Sequence, residues 1–200
     1  YGQYTKIFLE SPKVSEVTVA DIDAACLEQI QARFPGLRAA QLNLEDPTWP
    51  GSLGNQKFDS VILINVLEHI EHDREALENI RAVLAPGGEL LVIVPAHPAL
   101  YGQMDALAGH YRRYERTALA SLLDAAGFRV EELSYINPIG GLGWWLNAKF
   151  FRPSSLSTPA INSQILFFDK YILPLSLRLT PCFRKFFGQS LWCRAVKAAS

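Results

Sequence analysis

The sequence is poor in sulfur: 200 residues contain three cysteines and one methionine. Cys26, Cys182 and Cys193 are widely spaced, with no Cys-x-x-Cys pair. So few, in odd number, exclude a disulfide frame and a cysteine zinc centre, and they read as the reduced thiols of a cytoplasmic protein. Long apolar runs are also missing. No stretch approaches the ~20 apolar residues needed to span a bilayer. At 20% charged and 11% aromatic residues, the chain is not disordered, collagen-like or a coiled coil. There is no internal repeat, and no histidine, cysteine and acid lie together at ligand spacing, so no metal is expected. No signal peptide opens the chain. It begins at Tyr1 and its single methionine is Met104, which leads us to expect further sequence upstream.

What is present is a chain long and apolar enough, at 49% hydrophobic, for one domain spanning residues 1–200 with a real core. The formal charge of −1 conceals a strong polarity. Residues 140–200 carry eight cations against the single acid Asp169, a net +7, which leaves −8 on residues 1–139. The same 61 residues hold 11 of the 22 aromatics.

Strands and helices alternate, which predicts an α/β sandwich around a mostly parallel sheet. Val17–Ala20 reads as a strand, followed by a helix over 24–34 with Asp23 as N-cap and Pro35-Gly36 as its stop. Leu37–Leu42 is a second strand candidate. Phe58–Asn65 is nearly continuous apolar, as expected for a strand buried on both faces. Asp73 is expected to cap a helix that Pro86-Gly87-Gly88 ends, and Glu89–Pro95 is the next strand. A helix over 117–126 stops at Gly127, a strand runs over 128–135, helical stretches fall at 143–151 and 163–179, and 188–196 closes the chain as a strand.

Asp21 stands at the carboxyl end of an early strand, where open α/β sheets bind ligands and where a carboxylate can accept from both ribose hydroxyls. The plainer alternative is that Asp21 or Asp23 only caps the following helix. From Phe58 to Pro95 the chain reads FDSVILINVLEHIEHDREALENIRAVLAPGGELLVIVP. This resembles the small-molecule branch of the class I S-adenosylmethionine-dependent methyltransferases, with their apolar strand ending near LEHI, their helix ending in L-x-PGG and their following strand. VTVADID, LNLEDP and GHYRRY before an AAGF-ended helix fit the same pattern in order.

The resemblance implies a Rossmann-like three-layer sandwich with an antiparallel closing strand, and S-adenosylmethionine as cofactor. It implies Asp21 at the ribose, Asn43 and Leu44 at the adenine, Asn65 and Val66 (with Leu67 beside them) at the methionine end, and Gly2 as the last glycine of the glycine-rich loop. Asn43 departs from the family's Asp, and Asp46 is the alternative if the loop is shifted. The first strand and the earlier glycines of the family are missing, so the chain reads as an N-terminally truncated fragment.

His110 is a candidate general base, and Tyr101, His110, Arg112 and Arg113 are candidate acceptor-binding residues, because histidine takes protons near neutral pH and arginine grips phosphate or carboxylate. The alternative is a solvated basic turn. His69, beside Glu68, reads as scaffolding.

Residues 140–187 form a basic, aromatic helical elaboration before the last strand. That composition suits an anionic membrane surface, an acceptor-pocket cover, a dimer face, or a core with a solvated rim. The acidic remainder argues against nucleic acid. The expected function is methyl transfer to an oxygen or nitrogen of a small or lipid-linked acceptor, in the cytoplasm or at the inner membrane surface. The alternatives are a nucleotide-dependent oxidoreductase of Rossmann type and an inactive methyltransferase-like module.

Overall fold

In the computed structural model, residues 2–143 and 168–198 are described, and they divide into two units at Ser52/Leu53.

The first unit is a short βαβ segment. Helix α1 (Gln3–Leu9) precedes strand β1 (Thr18–Asp21), helix α2 (Ala24–Arg33), strand β2 (Arg38–Gln41) and the single turn α3 (Trp49–Ser52). The Asp23 carboxylate accepts from the N–H of Ala25 at 2.8 Å, the expected N-cap. Leu27 and Ile30 turn inward from α2 and are buried, as are Leu37 and Trp49. β1 and β2 pair in parallel, with Asp21 opposite Gln41 at their carboxyl ends.

The second unit is built on a four-stranded sheet of order β3-β4-β6-β5, with β3 at Phe58–Ile64, β4 at Leu84–Pro95, β5 at Phe128–Ile136 and β6 at Ser190–Lys197. β3 and β4 are parallel, and β6 runs antiparallel to both of its neighbours, the closing strand the sequence implied. Leu90, Val92 and Val94 alternate along β4, and Leu191, Cys193 and Ala195 along β6; all six are fully buried. Burial pushes the Cys193 thiol pKa up to about 12, so that cysteine is an inert core group. Helix α4 (Asp73–Val83) buries Ala76, Leu77, Ile80 and Val83 at helical spacing, and helix α6 (Arg116–Ala125) buries Leu119 and Leu123 and packs on β5. Each such leucine or isoleucine contributes roughly 1.5–3 kcal/mol. Between β4 and α6 lies the short helix α5 (Gln103–Leu107). Gly127, at φ +83°, makes the left-handed turn from α6 into β5.

Three expectations are corrected. Asp73 is the first residue of α4 rather than its cap, which is His72; its carboxylate is drawn to partners on another loop. Pro86-Gly87-Gly88 does not separate helix from strand, because β4 begins at Leu84 and takes the glycines in, with a register shift opposite Phe58 and Ser60. β3 is not buried on both faces. It is the edge of its sheet, and of its residues only Leu63 is buried.

All of the expected helix over 143–151 but Gly143, and the start of that over 163–179, lie outside the described residues. The rest of the second stretch is a π-turn at Phe168–Ile172 running into helix α7 (Leu173–Phe183).

Candidate functional site

In the first unit the two acids after β1 have separate tasks. Asp23 caps α2, while Asp21 uses Oδ1 to accept from the Asp23 N–H at 2.9 Å, and its Oδ2 has no protein partner among the described residues. One strand over, Asn43 Oδ1 accepts from the Glu45 N–H at 3.0 Å, with half-buried Leu44 next to it. Asp46 is absorbed by its own turn, accepting from the N–H and hydroxyl of Thr48 at 2.8 and 2.7 Å, bonds that hold its carboxyl below the usual range. Each of the two alternatives for an adenine edge thus has one side-chain oxygen engaged in its own turn. Gly2 has φ +77°, and a Cβ there would lie 3.1 Å from the Phe34 ring.

In the second unit the chain leaves β3 through Asn65, at φ +51°, whose N–H donates to the Ile93 carbonyl at 2.9 Å. Half-buried Val66 leads into a 3-10 turn, Leu67–His69, in which Leu67 and Glu68 are fully buried and His69 is exposed. The Tyr111 N–H donates to the Glu68 carbonyl at 2.8 Å and so docks the His110–Tyr114 segment against this turn.

Asp105 organises the docked segment. Completely buried, it accepts from the Gly102 N–H at 2.9 Å through Oδ2, and from His110 Nδ1 at 3.0 Å and Arg113 Nε at 2.8 Å through Oδ1. With Nδ1 donating to a carboxylate, the lone pair of neutral His110 sits on Nε2, which faces Glu68 Oε1 at 4.0 Å. The His69 and His110 rings meet edge to face, centroids 4.7 Å apart.

Burial, the dominant influence, lowers the His110 pKa despite its bond to Asp105, keeping the imidazole a neutral proton acceptor. Burial likewise pushes the Glu68 carboxyl up to about 7, against the field of Arg113. Neither carboxylate oxygen of Glu68 has a hydrogen-bond partner among the described residues. His97, at φ +60°, stacks on Tyr135 and near Phe187, and burial lowers its pKa.

Both arginines are engaged by groups of the protein itself. Arg113 is buried, bound to Asp105 and to the Ala96 carbonyl. Arg112 donates to Asp73 Oδ2 at 2.8 Å and to the Glu71 carbonyl at 2.7 Å, and the Tyr114 hydroxyl shares the same Asp73 oxygen. Tyr101 is exposed, but its hydroxyl is given to the His110 carbonyl. These three side chains brace the loop, while His110 Nε2 faces Glu68 Oε1. Spacing along the chain shows no metal-ligand cluster, but in space the fold gathers Glu68, His69 and His110, with one ligand atom from each within 4.8 Å of the others.

Comparison with known proteins now decides the family. The family model for a methyltransferase domain matches residues 1–133. The chain belongs to the class I S-adenosylmethionine-dependent methyltransferases. An uncharacterised methyltransferase of Mycobacterium tuberculosis is 35% identical over 88 residues, 44% of each chain. This methyltransferase chain therefore spans less than half the length of that relative. Among solved structures, an S-adenosylmethionine-dependent methyltransferase from Mesorhizobium loti superposes with TM-score 0.63 at 16% identity, over 98% of this chain and 86% of that one. The N-methyltransferase NodS of Bradyrhizobium japonicum, in complex with S-adenosylhomocysteine, superposes with TM-score 0.55 at 14% identity, over 99% and 74%. Both likenesses concern the Rossmann-like fold.

The residues present fit the cofactor that the methyltransferase family implies. Asp21 Oδ2, without a protein partner among the described residues, is an acceptor of the kind ribose hydroxyls need, and Asn43 and Leu44 follow the adjacent strand. In the other unit, Asn65 bends the chain away from its strand end at a positive φ.

Sequence reasoning missed Asp105 as the partner of His110 and Glu68 as its neighbour. The Asp-x4-His spacing within one loop was the available signal for the first. Glu68 and His110 are 42 positions apart, and only the docking of two loops unites them.

Proposed function

We propose that this methyltransferase moves the methyl group of S-adenosylmethionine to an oxygen or nitrogen of a small or lipid-linked acceptor. The cofactor supplies an electrophilic methyl on a sulfonium. Asp21 would accept from the ribose hydroxyls, Asn43 and Leu44 would meet the adenine, and Asn65 and Val66 would border the methionine end. Transfer from a sulfonium needs alignment and removal of the acceptor's proton. The observation that carries the reading is the Asp105–His110 pair: a neutral imidazole, oriented through Nδ1 by a buried carboxylate, with Nε2 left to take that proton.

A lipid-linked acceptor is favoured by the inverted polarity of α7. Its one buried residue is polar: Ser176 Oγ accepts from the Ile139 N–H at 2.9 Å, and half-buried Thr180 accepts through Oγ1 from the Asn137 N–H at 3.3 Å. Leu175, Leu177, Leu179, Phe183 and Phe186 are exposed instead, beside exposed Lys170, Arg178, Arg184 and Lys185. Outward apolar groups ringed by cations suit an anionic lipid interface. No helix among the described residues is long and apolar enough to cross a membrane.

The test is incubation with methyl-labelled S-adenosylmethionine and bacterial extracts split into lipid and aqueous fractions. Label should enter one fraction and be lost with His110→Ala. Equal labelling by that variant would overturn the role of His110, and no labelling in either fraction would overturn the acceptor reading.

A further inference from the structure

We infer that Glu68, His69 and His110 form a binding site for a first-row divalent transition-metal ion. Three independent features of the cluster converge on it.

The first is Glu68. A carboxylate with zero exposure and no hydrogen bond to either oxygen is costly to bury, because nothing replaces the water it has lost. Its Oε1 points to His110 Nε2 at 4.0 Å, too far for a hydrogen bond. The second is the orientation of the two imidazoles. His110 Nδ1 is held by Asp105 Oδ1 at 3.0 Å, and His69 Nδ1 lies 3.3 Å from the Gly109 carbonyl. Both acceptors lack protons, so both Nδ1 atoms donate, and in the neutral rings the lone pair available to a metal is on Nε2. One ring is thus anchored by a carboxylate and the other by a backbone carbonyl, the outer-shell arrangement that orients histidine ligands of metals. The third is spacing. One ligand atom from each residue lies within 4.8 Å of the others. Ligands ~2.0–2.2 Å from a common tetrahedral ion stand ~3.3 Å apart. The set is wider than this by up to about 1.5 Å, so binding would draw the exposed His69 ring and the unbonded Glu68 carboxylate inward.

Two imidazoles and one carboxylate select zinc, manganese, iron(II) or cobalt over magnesium or calcium, which prefer all-oxygen shells. Three protein ligands leave coordination positions open for an oxygen-bearing molecule. A proton and a metal ion compete for the same His110 lone pair, so base and ligand are alternative uses of one atom. The site rests on the geometry of the cluster and does not depend on the identity of the methyl acceptor.

The test uses the full chain, stripped with chelator and titrated with cobalt(II) while its visible absorption is followed. One equivalent should bind with ligand-field bands, and zinc should displace it. Glu68→Gln and His110→Gln should each weaken binding on the order of 100-fold or more. His69→Ala, at an exposed position, keeps the inference falsifiable if the buried variants fail to fold, and should abolish the bands with the circular dichroism spectrum unchanged. Binding as tight in His69→Ala as in the unaltered protein, or no saturable uptake, would overturn the site. Either result would leave S-adenosylhomocysteine binding, measured in parallel, untouched.

Discussion

Replacing Asp105 by alanine should be among the most damaging single changes in the second unit. The residue is wholly buried and serves three donors: the Gly102 N–H, His110 Nδ1 and Arg113 Nε, at 2.9, 3.0 and 2.8 Å. The Arg113 side chain is only 2% exposed, so the guanidinium cannot turn to water when its carboxylate is removed. Breaking a buried ion pair by removing one partner costs about 3–5 kcal/mol. The stranded Gly102 amide adds about 1 kcal/mol or more. Against a typical total stability of about 5–15 kcal/mol, this is a large fraction. With a urea dependence of about 2 kcal/mol per molar, the unfolding midpoint should fall by about 2 M. The double variant Asp105→Leu/Arg113→Met removes both charges and should recover most of that loss, since buried pairs replaced together by apolar groups are often neutral. Urea unfolding followed by circular dichroism and tryptophan fluorescence measures all three proteins. A single variant that loses less than about 1 kcal/mol, or a double variant no more stable than the single, would refute the claim that this pair organises the loop.

Individual residues give further expected outcomes. Glu68 holds its proton more tightly in the folded chain than in the unfolded one. Its contribution should therefore be complete below pH 4.5 and be lost as the pH rises through about 7. In chelator, unfolding free energy should decline across that window by up to about 3 kcal/mol more in the unaltered protein than in Glu68→Gln; parallel curves would contradict the raised pKa. A Cβ at position 188 would collide with the Ile136 carbonyl oxygen, so Gly188→Ala should separate the start of β6 from β5 and cost about 1–3 kcal/mol by denaturant unfolding. Flotation with vesicles containing anionic lipid should carry the protein up, and Leu175→Asp/Phe186→Asp should prevent it; equal flotation of the variant would count against α7 as the docking element.

Much of the architecture was readable in the sequence because its signals are local. The Asp23 cap, the Gly127 stop and the closing strand β6 each depend on a few neighbouring residues, and each is where it was expected. The failures came where tertiary partners outweigh local chemistry. Asp73 has the composition of a cap, yet Arg112 and the Tyr114 hydroxyl claim its carboxylate from 39 and 41 positions away. Phe58–Ile64 has the composition of a central strand, yet the strand order makes it an edge. The site shows the same division. Asp21 stands at the carboxyl end of β1, the place its sequence position implied. That Arg113 would be buried, and that Glu68 would face His110, depended on how two loops dock, which no local pattern encodes.

The central claim is that this chain has the cofactor site of a methyltransferase, with Asp21 on the ribose. Calorimetric titration with S-adenosylhomocysteine tests it most directly. The account predicts saturable binding of one equivalent, at least tenfold weaker in Asp21→Ala, where a charge-assisted pairing worth roughly 1.5–3 kcal/mol is removed, and no binding of NADH. Binding that is indifferent to Asp21→Ala, or a preference for NADH, would contradict it.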